Sequence, residues 1–217
     1  MQALNINHRA VLAPFIRDGR VDYDAVAAGP DVEGMLTAIA DRDVSQATSA
    51  DQLAFYLNAY NLITMSQVLD RLRGDPQWPG PLSVTDKVRF FVFERHRVAG
   101  QKLSLLALEN SVIRRRFREP RIHFALNCAS SSCPHLPGLL FEAQTLERDL
   151  EQLTQAFINS PEVSYDASTN ALSVSPLFKW YRRDFQPSVQ AFISRYRGTP
   201  GDASLLFRAY DWSLNRQ

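Results

Sequence analysis

Helical spacing of apolar residues over most of the chain, interrupted by only a few short strand-like runs, predicts an α+β fold. The expected form is a predominantly helical single domain around a central buried helix, with a small, mainly antiparallel sheet. Three observations carry this. Residues 49–73 place apolar side chains on two stripes, which leaves little of the helix circumference polar and puts it inside the molecule. The strand-like runs lack the regular alternation with helices that a doubly wound sheet requires. Finally, 217 residues with 45% hydrophobic and 22% charged content suit one core spanning 1–217.

The elements follow in order. Phe55, Leu62, Met65, Leu69 and Leu72 form one stripe of the central helix, and Leu53, Leu57, Tyr60, Thr64 and Val68 the other, with Ser49 or Asp51 as N-cap. Three prolines and two glycines in residues 74–81 forbid regular structure. Residues 89–98 read as extended. Ser104 caps a helix through Leu105, Leu108, Val112 and Ile113, closed by Pro120. Residues 121–128 read as a short buried strand, and Thr145 opens a third helix bearing Leu146, Leu150, Leu153 and Phe157. Residues 163–165 and 171–175 flank a polar turn and predict a β-hairpin. An amphipathic helical run buries Phe178, Tyr181 and Phe185, and a last helix with Val189, Phe192, Ile193 and Tyr196 stops at Gly198.

Composition removes several function classes. With 24 Lys and Arg against 23 Asp and Glu, no global field recruits nucleic acid or an anionic membrane. Lys179, Arg182 and Arg183 do interleave with Phe178, Trp180 and Tyr181, but Asp184 within the run and the helical burial pattern favour an anchored helix over a nucleic-acid platform. Two cysteines build no disulfide framework. The first eleven residues lack a signal-peptide run, and no segment approaches the ~18 apolar residues of a membrane span. A soluble, cytoplasmic protein is expected, with allowance for a leader removed earlier. Walker, dinucleotide, HExxH and GxSxG signatures are absent, and no cofactor is expected.

Chemistry concentrates in residues 121–134, where one histidine, two thiols, an amide and three hydroxyls crowd together. On a strand, Ile122, Phe124, Leu126 and Cys128 would share the apolar face, and His123 and Asn127 the polar one. Cys133, in the loop beyond, is free to turn back toward His123, the minimum arrangement for an imidazole-activated thiolate. Buried thiols and a satisfied core histidine are the alternative, and a Cys128–Cys133 disulfide a further one. His123, Cys128, Cys133 and His135 also offer four metal-ligand atoms, at a spacing that matches no standard finger, so no metal is assigned. Asn58, Asn61 and Glu109 are polar at positions where helix periodicity wants apolar residues. Each needs buried partners, and Arg121 is the expected counter-ion of Glu109. A structural network and a site role weigh equally for these three.

The motifs Asp18-Gly-Arg-Val-Asp-Tyr23, Phe55-Tyr-Leu-Asn-Ala-Tyr-Asn61, Leu103-Ser104 with Glu109, Arg121-Ile-His-Phe-Ala-Leu-Asn-Cys128, Ser132-Cys-Pro134, Phe178-Lys-Trp-Tyr181 with Asp184-Phe185, and Tyr210-Asp-Trp212 occur in this order. With them the chain resembles the DUF547 family of uncharacterised proteins over nearly its whole length. The resemblance implies that Asn58, Tyr60, Asn61, Glu109, His123, Asn127, Cys128 and Cys133 belong to one family pattern. Ala129 stands where that pattern usually has glycine, and His135 where a second proline often follows. A Cys/His pair beside a buried helix is similar to papain-like and transglutaminase-like enzymes, although here the histidine precedes both cysteines.

The expected activity is that of a thiol-dependent hydrolase or acyltransferase on an amide, peptide or thioester. Cys133 is the expected nucleophile with Cys128 as alternative, His123 the base, Glu109 or Asn127 its orienting partner and Asn58 an oxyanion donor. Tyr60, Asn61, Arg121, Lys179, Trp180 and Tyr181 are expected to contact a small-molecule or peptide substrate. The competing reading is a non-catalytic binding domain with unreactive thiols.

Overall fold

A computed structural model of the chain describes residues 10–217. The stretch read for a leader therefore lies almost wholly outside the described residues. The first hairpin pairs β1 (Ile16–Arg17) with β2 (Arg20–Val21). Its turn passes through Gly19 at φ +77, where a Cβ would fall 2.2 Å from the His135 ring. The left-handed φ favours glycine there, and any side chain would also displace the His135 ring. Two short helices follow, α1 (Tyr23–Ala28) and α2 (Val32–Ala40), each started by an aspartate side chain accepting a backbone N–H.

The central helix, α3, runs Ser49–Gly74, and 16 of its 26 residues are buried, as all-round apolarity requires. Its cap is Thr48, one residue before the expected Ser49, with Oγ1 accepting from Asp51 N–H. Helix α4 (Val84–Val88) opens on a Ser83/Asp86 capping box and continues as a π-helical turn over Arg89–Phe93. The extended reading of residues 89–98 is thereby corrected: only β3 (His96–Val98) is strand, paired with β4 (Gln101–Leu103). The capping box commits the chain to helix before Phe90 packs inward, 1% exposed.

Ser104 caps the next helix as expected, α5 (Leu105–Ala107), which widens into a π-helix over Leu108–Arg114 and ends as α6 (Arg115–Phe117). Residues 121–128 are not a strand. Pro120–Phe124 is a 3₁₀ turn started by Glu119, whose carboxylate accepts Arg121 N–H. Beyond it the backbone finds a side chain instead of a strand partner. Asn61 Oδ1 accepts Asn127 N–H and Asn61 Nδ2 donates to Ala125 C=O, both at 2.9 Å. One amide replaces one rung of a ladder.

The last third contributes α7 (Leu146–Ile158), the expected hairpin β5 (Val163–Asp166) with β6 (Ala171–Val174), α8 (Leu177–Trp180), α9 (Val189–Arg197) and β7 (Ser204–Phe207) parallel to β6. The strands form three small sheets rather than one, and antiparallel pairs dominate, in an α+β domain. No described helix is long and apolar enough to cross a membrane.

Two apolar clusters pack side by side, one around α3 and one built on Phe124, Phe157, Phe178, Phe185 and Phe192. At about three residues per turn, successive 3₁₀ side chains point in three directions. Ile122 enters the first cluster and Phe124 the second, which leaves His123 at the seam between them.

Candidate functional site

At this seam lies a cavity of about 260 Å³ with mostly apolar walls, among them Phe91, Leu106, Trp180 and Trp212. Its polar lining is Tyr60, Glu109, His123, Cys128, Cys133, Tyr181 and Tyr210, with Lys87 at the wall beside Trp212. Both π-helical turns feed it, one through Phe91 and Val92 and the other through Glu109. Such single widened turns recur at functional sites because they re-aim a side chain that regular helix would turn away.

His123 is held from two sides. Its Nε2 lies 2.7 Å from Asp184 Oδ2, and its ring stacks on Tyr181 with centroids 4.0 Å apart. Arg114 grips the same carboxylate with Nε at 2.7 Å and a terminal nitrogen at 3.0 Å, and its guanidinium lies over the Tyr181 ring. Partial burial pushes the Asp184 pKa up, but the bonds and charges of His123 and Arg114 outweigh it and hold the carboxyl well below its usual range. The carboxylate is therefore ionised and His123 Nε2–H donates to it. Asp184 orients the imidazole, where Glu109 or Asn127 was expected.

Asn127 is spent on the loop instead. Its Nδ2 donates to Pro134 C=O at 2.8 Å and its Oδ1 accepts Ala129 N–H at 2.9 Å. Glu109 accepts a long 3.5 Å bond from Tyr60 OH. Burial, then the Glu109 charge, raises the pKa of both Tyr60 and Tyr181, which keeps the two hydroxyls protonated as donors. The cation near Glu109 is Arg114; Arg121 is occupied by Glu119, Glu147 and Glu151 on the outer surface. Asn58 donates to Phe141 C=O and accepts Phe141 N–H, and it does not line the cavity. Asn61 is likewise consumed by residues 125 and 127, and Lys179 lies over Phe207, outside the cavity lining. Of the expected substrate contacts, Tyr60, Trp180 and Tyr181 line the cavity; Asn61, Arg121 and Lys179 do not.

The two thiols differ sharply. Cys133 is buried, and burial followed by the neighbouring Cys128 pushes its pKa well up. Cys128 is partly exposed, with Sγ 2.7 Å from Cys133 Sγ and 3.2 Å from both Ser130 Oγ and Tyr210 OH. Burial raises the Cys128 thiol, but these three bonds together outweigh it and bring its pKa down to about 7. Neither sulphur is hydrogen-bonded to His123 among the described residues, whose ring pairs with Asp184.

The loop is fastened to the C-terminal segment. Ser131 and Ser132 N–H donate to Ser213 and Asp211 carbonyls, Asn215 N–H donates to Ala129 C=O, and Tyr23 OH anchors Asn215. Ala129, at φ +60 and fully buried, takes the left-handed conformation that a non-glycine residue adopts at a cost of ~1–2 kcal/mol. That is the position where the family pattern usually carries glycine. Sequence reasoning missed Asp184, Arg114 and Tyr210 as site residues. The runs Asp184-Phe185 and Tyr210-Asp-Trp212 were the only signal for Asp184 and Tyr210, and Arg114 had none.

Comparison with known proteins supports the family resemblance. Residues 44–158 match the family described as "Protein of unknown function, DUF547". No curated protein and no solved structure matches the chain. The matched segment is about half the chain, narrower than the resemblance first drawn. It carries Tyr60, Glu109, His123, Cys128 and Cys133, while Asp184, Tyr210 and Trp212 lie beyond it. On this match the chain belongs to the DUF547 family.

Proposed function

We propose that the protein is a thiol-dependent hydrolase or acyltransferase in which Cys128, rather than Cys133, is the nucleophile. The observation that supports this most is a half-buried cysteine whose sulphur lies within hydrogen-bond distance of Tyr210 OH, Ser130 Oγ and Cys133 Sγ, on the wall of a cavity that also holds an aspartate-anchored histidine. With its pKa brought down to about 7, the thiol ionises more readily at neutral pH than a free cysteine, without a base in contact. The thiolate attacks a carbonyl carbon, and the bond to the leaving group breaks as His123 gives that group a proton. A water or an acceptor nucleophile then loses its proton to His123 and attacks the thioester, releasing the Cys128 thiolate. Asp184 steadies the imidazolium with which this cycle begins and ends. The apolar walls favour an acyl group with a small aliphatic or aromatic substituent over a charged one.

The test is intact-mass analysis of the protein incubated with p-nitrophenyl hexanoate. An acyl adduct on Cys128 that forms and clears in the wild type, and persists in His123→Ala, is the expected result. No adduct at Cys128, together with alkylation by iodoacetamide only near pH 8.5, ends the catalytic reading. A second reading, a binding cavity with inert thiols, draws on the absence of a bond between His123 and either sulphur, and that outcome would favour it.

A further inference from the structure

The mechanism above uses one thiol and leaves Cys133 without a chemical task. Its placement suggests one. The two sulphurs already stand 2.7 Å apart, whereas a disulfide needs ~2.05 Å, so bond formation requires a shift of well under ~1 Å. The contact is not incidental to a floppy loop. Cys133 N–H donates to Ser130 C=O, Cys128 N–H donates to Cys133 Sγ, and the intervening serines are tied to residues 211 and 213. Both thiols are thus held in register.

The pair is also asymmetric in the way a sensing and a resolving thiol must be. Cys128 reaches the cavity and is partly exposed; Cys133 is 8% exposed. A metal site is a poorer use of them, because the described residues hold no group of three His, Cys, Asp or Glu able to coordinate an ion.

We infer that Cys128 and Cys133 form a peroxide-responsive dithiol that reversibly takes the cavity out of use. The Cys128 thiolate attacks one oxygen of a small hydroperoxide, the O–O bond breaks, and Cys128 becomes a sulfenic acid while the other oxygen leaves as water or alcohol. The Cys133 sulphur then attacks the Cys128 sulphur, the S–O bond breaks, and the hydroxide departs as water with the Cys133 proton. In sum, two thiols and one hydroperoxide yield a disulfide, water and an alcohol or a second water. A low-molecular-weight dithiol reverses the change. The inference rests on the proposed function only for what the switch turns off.

The experiment treats the reduced full chain with hydrogen peroxide at pH 7, followed by intact-mass and peptide analysis. The wild type is expected to lose two hydrogens and both free thiols together, with recovery in dithiothreitol. Cys133→Ser and Cys133→Ala are expected to stop at a dimedone-trappable sulfenic acid on residue 128 and then pass to sulfinic acid that dithiothreitol does not reverse. Accumulation of sulfinic acid on Cys128 in the wild type, or thiols that resist peroxide until the protein unfolds, overturns the inference. A disulfide that forms in a protein showing no acyl adduct sustains the redox pair and removes only the catalytic reading.

Discussion

Asn61 is the residue on which the shape of the cysteine loop depends most directly, and its removal has a calculable cost. The side chain is 5% exposed, and its two bonds, to Ala125 C=O and from Asn127 N–H, are both buried at 2.9 Å. Asn61→Ala strands one backbone acceptor and one backbone donor without water. At ~1–3 kcal/mol for each unsatisfied group, the loss is roughly 2–6 kcal/mol, a large part of a typical domain stability of ~5–15 kcal/mol. With a urea slope of about 2–3 kcal/mol per molar, the unfolding midpoint falls by roughly 0.7–3 M. Asn61→Asp supplies a sharper control. A protonated aspartic acid can still donate to Ala125 C=O and accept from Asn127, but the ionised form sets a charge against the carbonyl. The folded-state pKa of this aspartate is therefore raised. Relative to wild type, the variant is most stable below the unfolded value of ~3.9 and loses stability as pH climbs above it. Urea titrations of the three proteins from pH 4 to 8 measure this. A loss below ~1 kcal/mol for the alanine variant, or a flat pH dependence for the aspartate variant, would refute the view that this amide stands in for a strand partner.

Two further changes address the site itself. Tyr210→Phe keeps the ring against Trp180 and Trp212 but removes one donor to Cys128 Sγ; at ~1.5–3 kcal/mol for a bond to a charged group, the thiol rises by about 1–2 pH units from near 7. Iodoacetamide labelling of Cys128 at pH 6.5 should slow about tenfold or more, and an unchanged rate would show that the tyrosine does not support the thiolate. Asp184→Asn removes the acceptor shared by His123 and Arg114 and is expected to cost ~2–3 kcal/mol at pH 7. Because the folded pKa of Asp184 is depressed, its contribution is complete above ~3.9 and fades as pH falls below that value. The stability gap between wild type and variant should therefore narrow between pH 5 and pH 2.5 in chemical denaturation. A constant gap would mean the ion pair is not its source.

How much of this was legible beforehand depends on the range of the interactions involved. Helix α3 was legible because periodicity is local, and so were the hairpin at residues 163–174 and the cap at Ser104. The conformation of residues 121–128 was not, since an apolar run of that length is equally a strand or an irregular buried segment. What decided between them was the amide of Asn61, more than sixty positions away. The same polar-in-stripe signal flagged Asn58, Asn61 and Glu109 together, yet only Glu109 faces the cavity. Periodicity detects that a buried polar group needs a partner; it carries no information on whether the partner is backbone or ligand. Asp184 escaped for the opposite reason. It sits among exposed-looking charges in residues 182–184, and its pairing with His123 and Arg114 exists only once two apolar clusters meet.

That meeting also explains why the site falls where it does. A 3₁₀ turn sends Ile122 into one cluster and Phe124 into the other, so the residue between them is forced to the boundary whatever its chemistry. A histidine there lines the cavity, and its Nε2 is fixed by a carboxylate from the second cluster's side. The cysteine loop follows four residues later and, lacking a ladder, takes its order from side-chain amides and from the C-terminal segment. Segment 44–158 alone thus brings the thiols, the imidazole and Glu109, but neither the carboxylate bonded to the imidazole nor the tyrosine hydroxyl beside Cys128. The reactivity proposed for Cys128 is a property of the junction, and substitutions that loosen the packing of Tyr181, Tyr210 or Trp212 are expected to act on it as directly as changes in the DUF547 motifs.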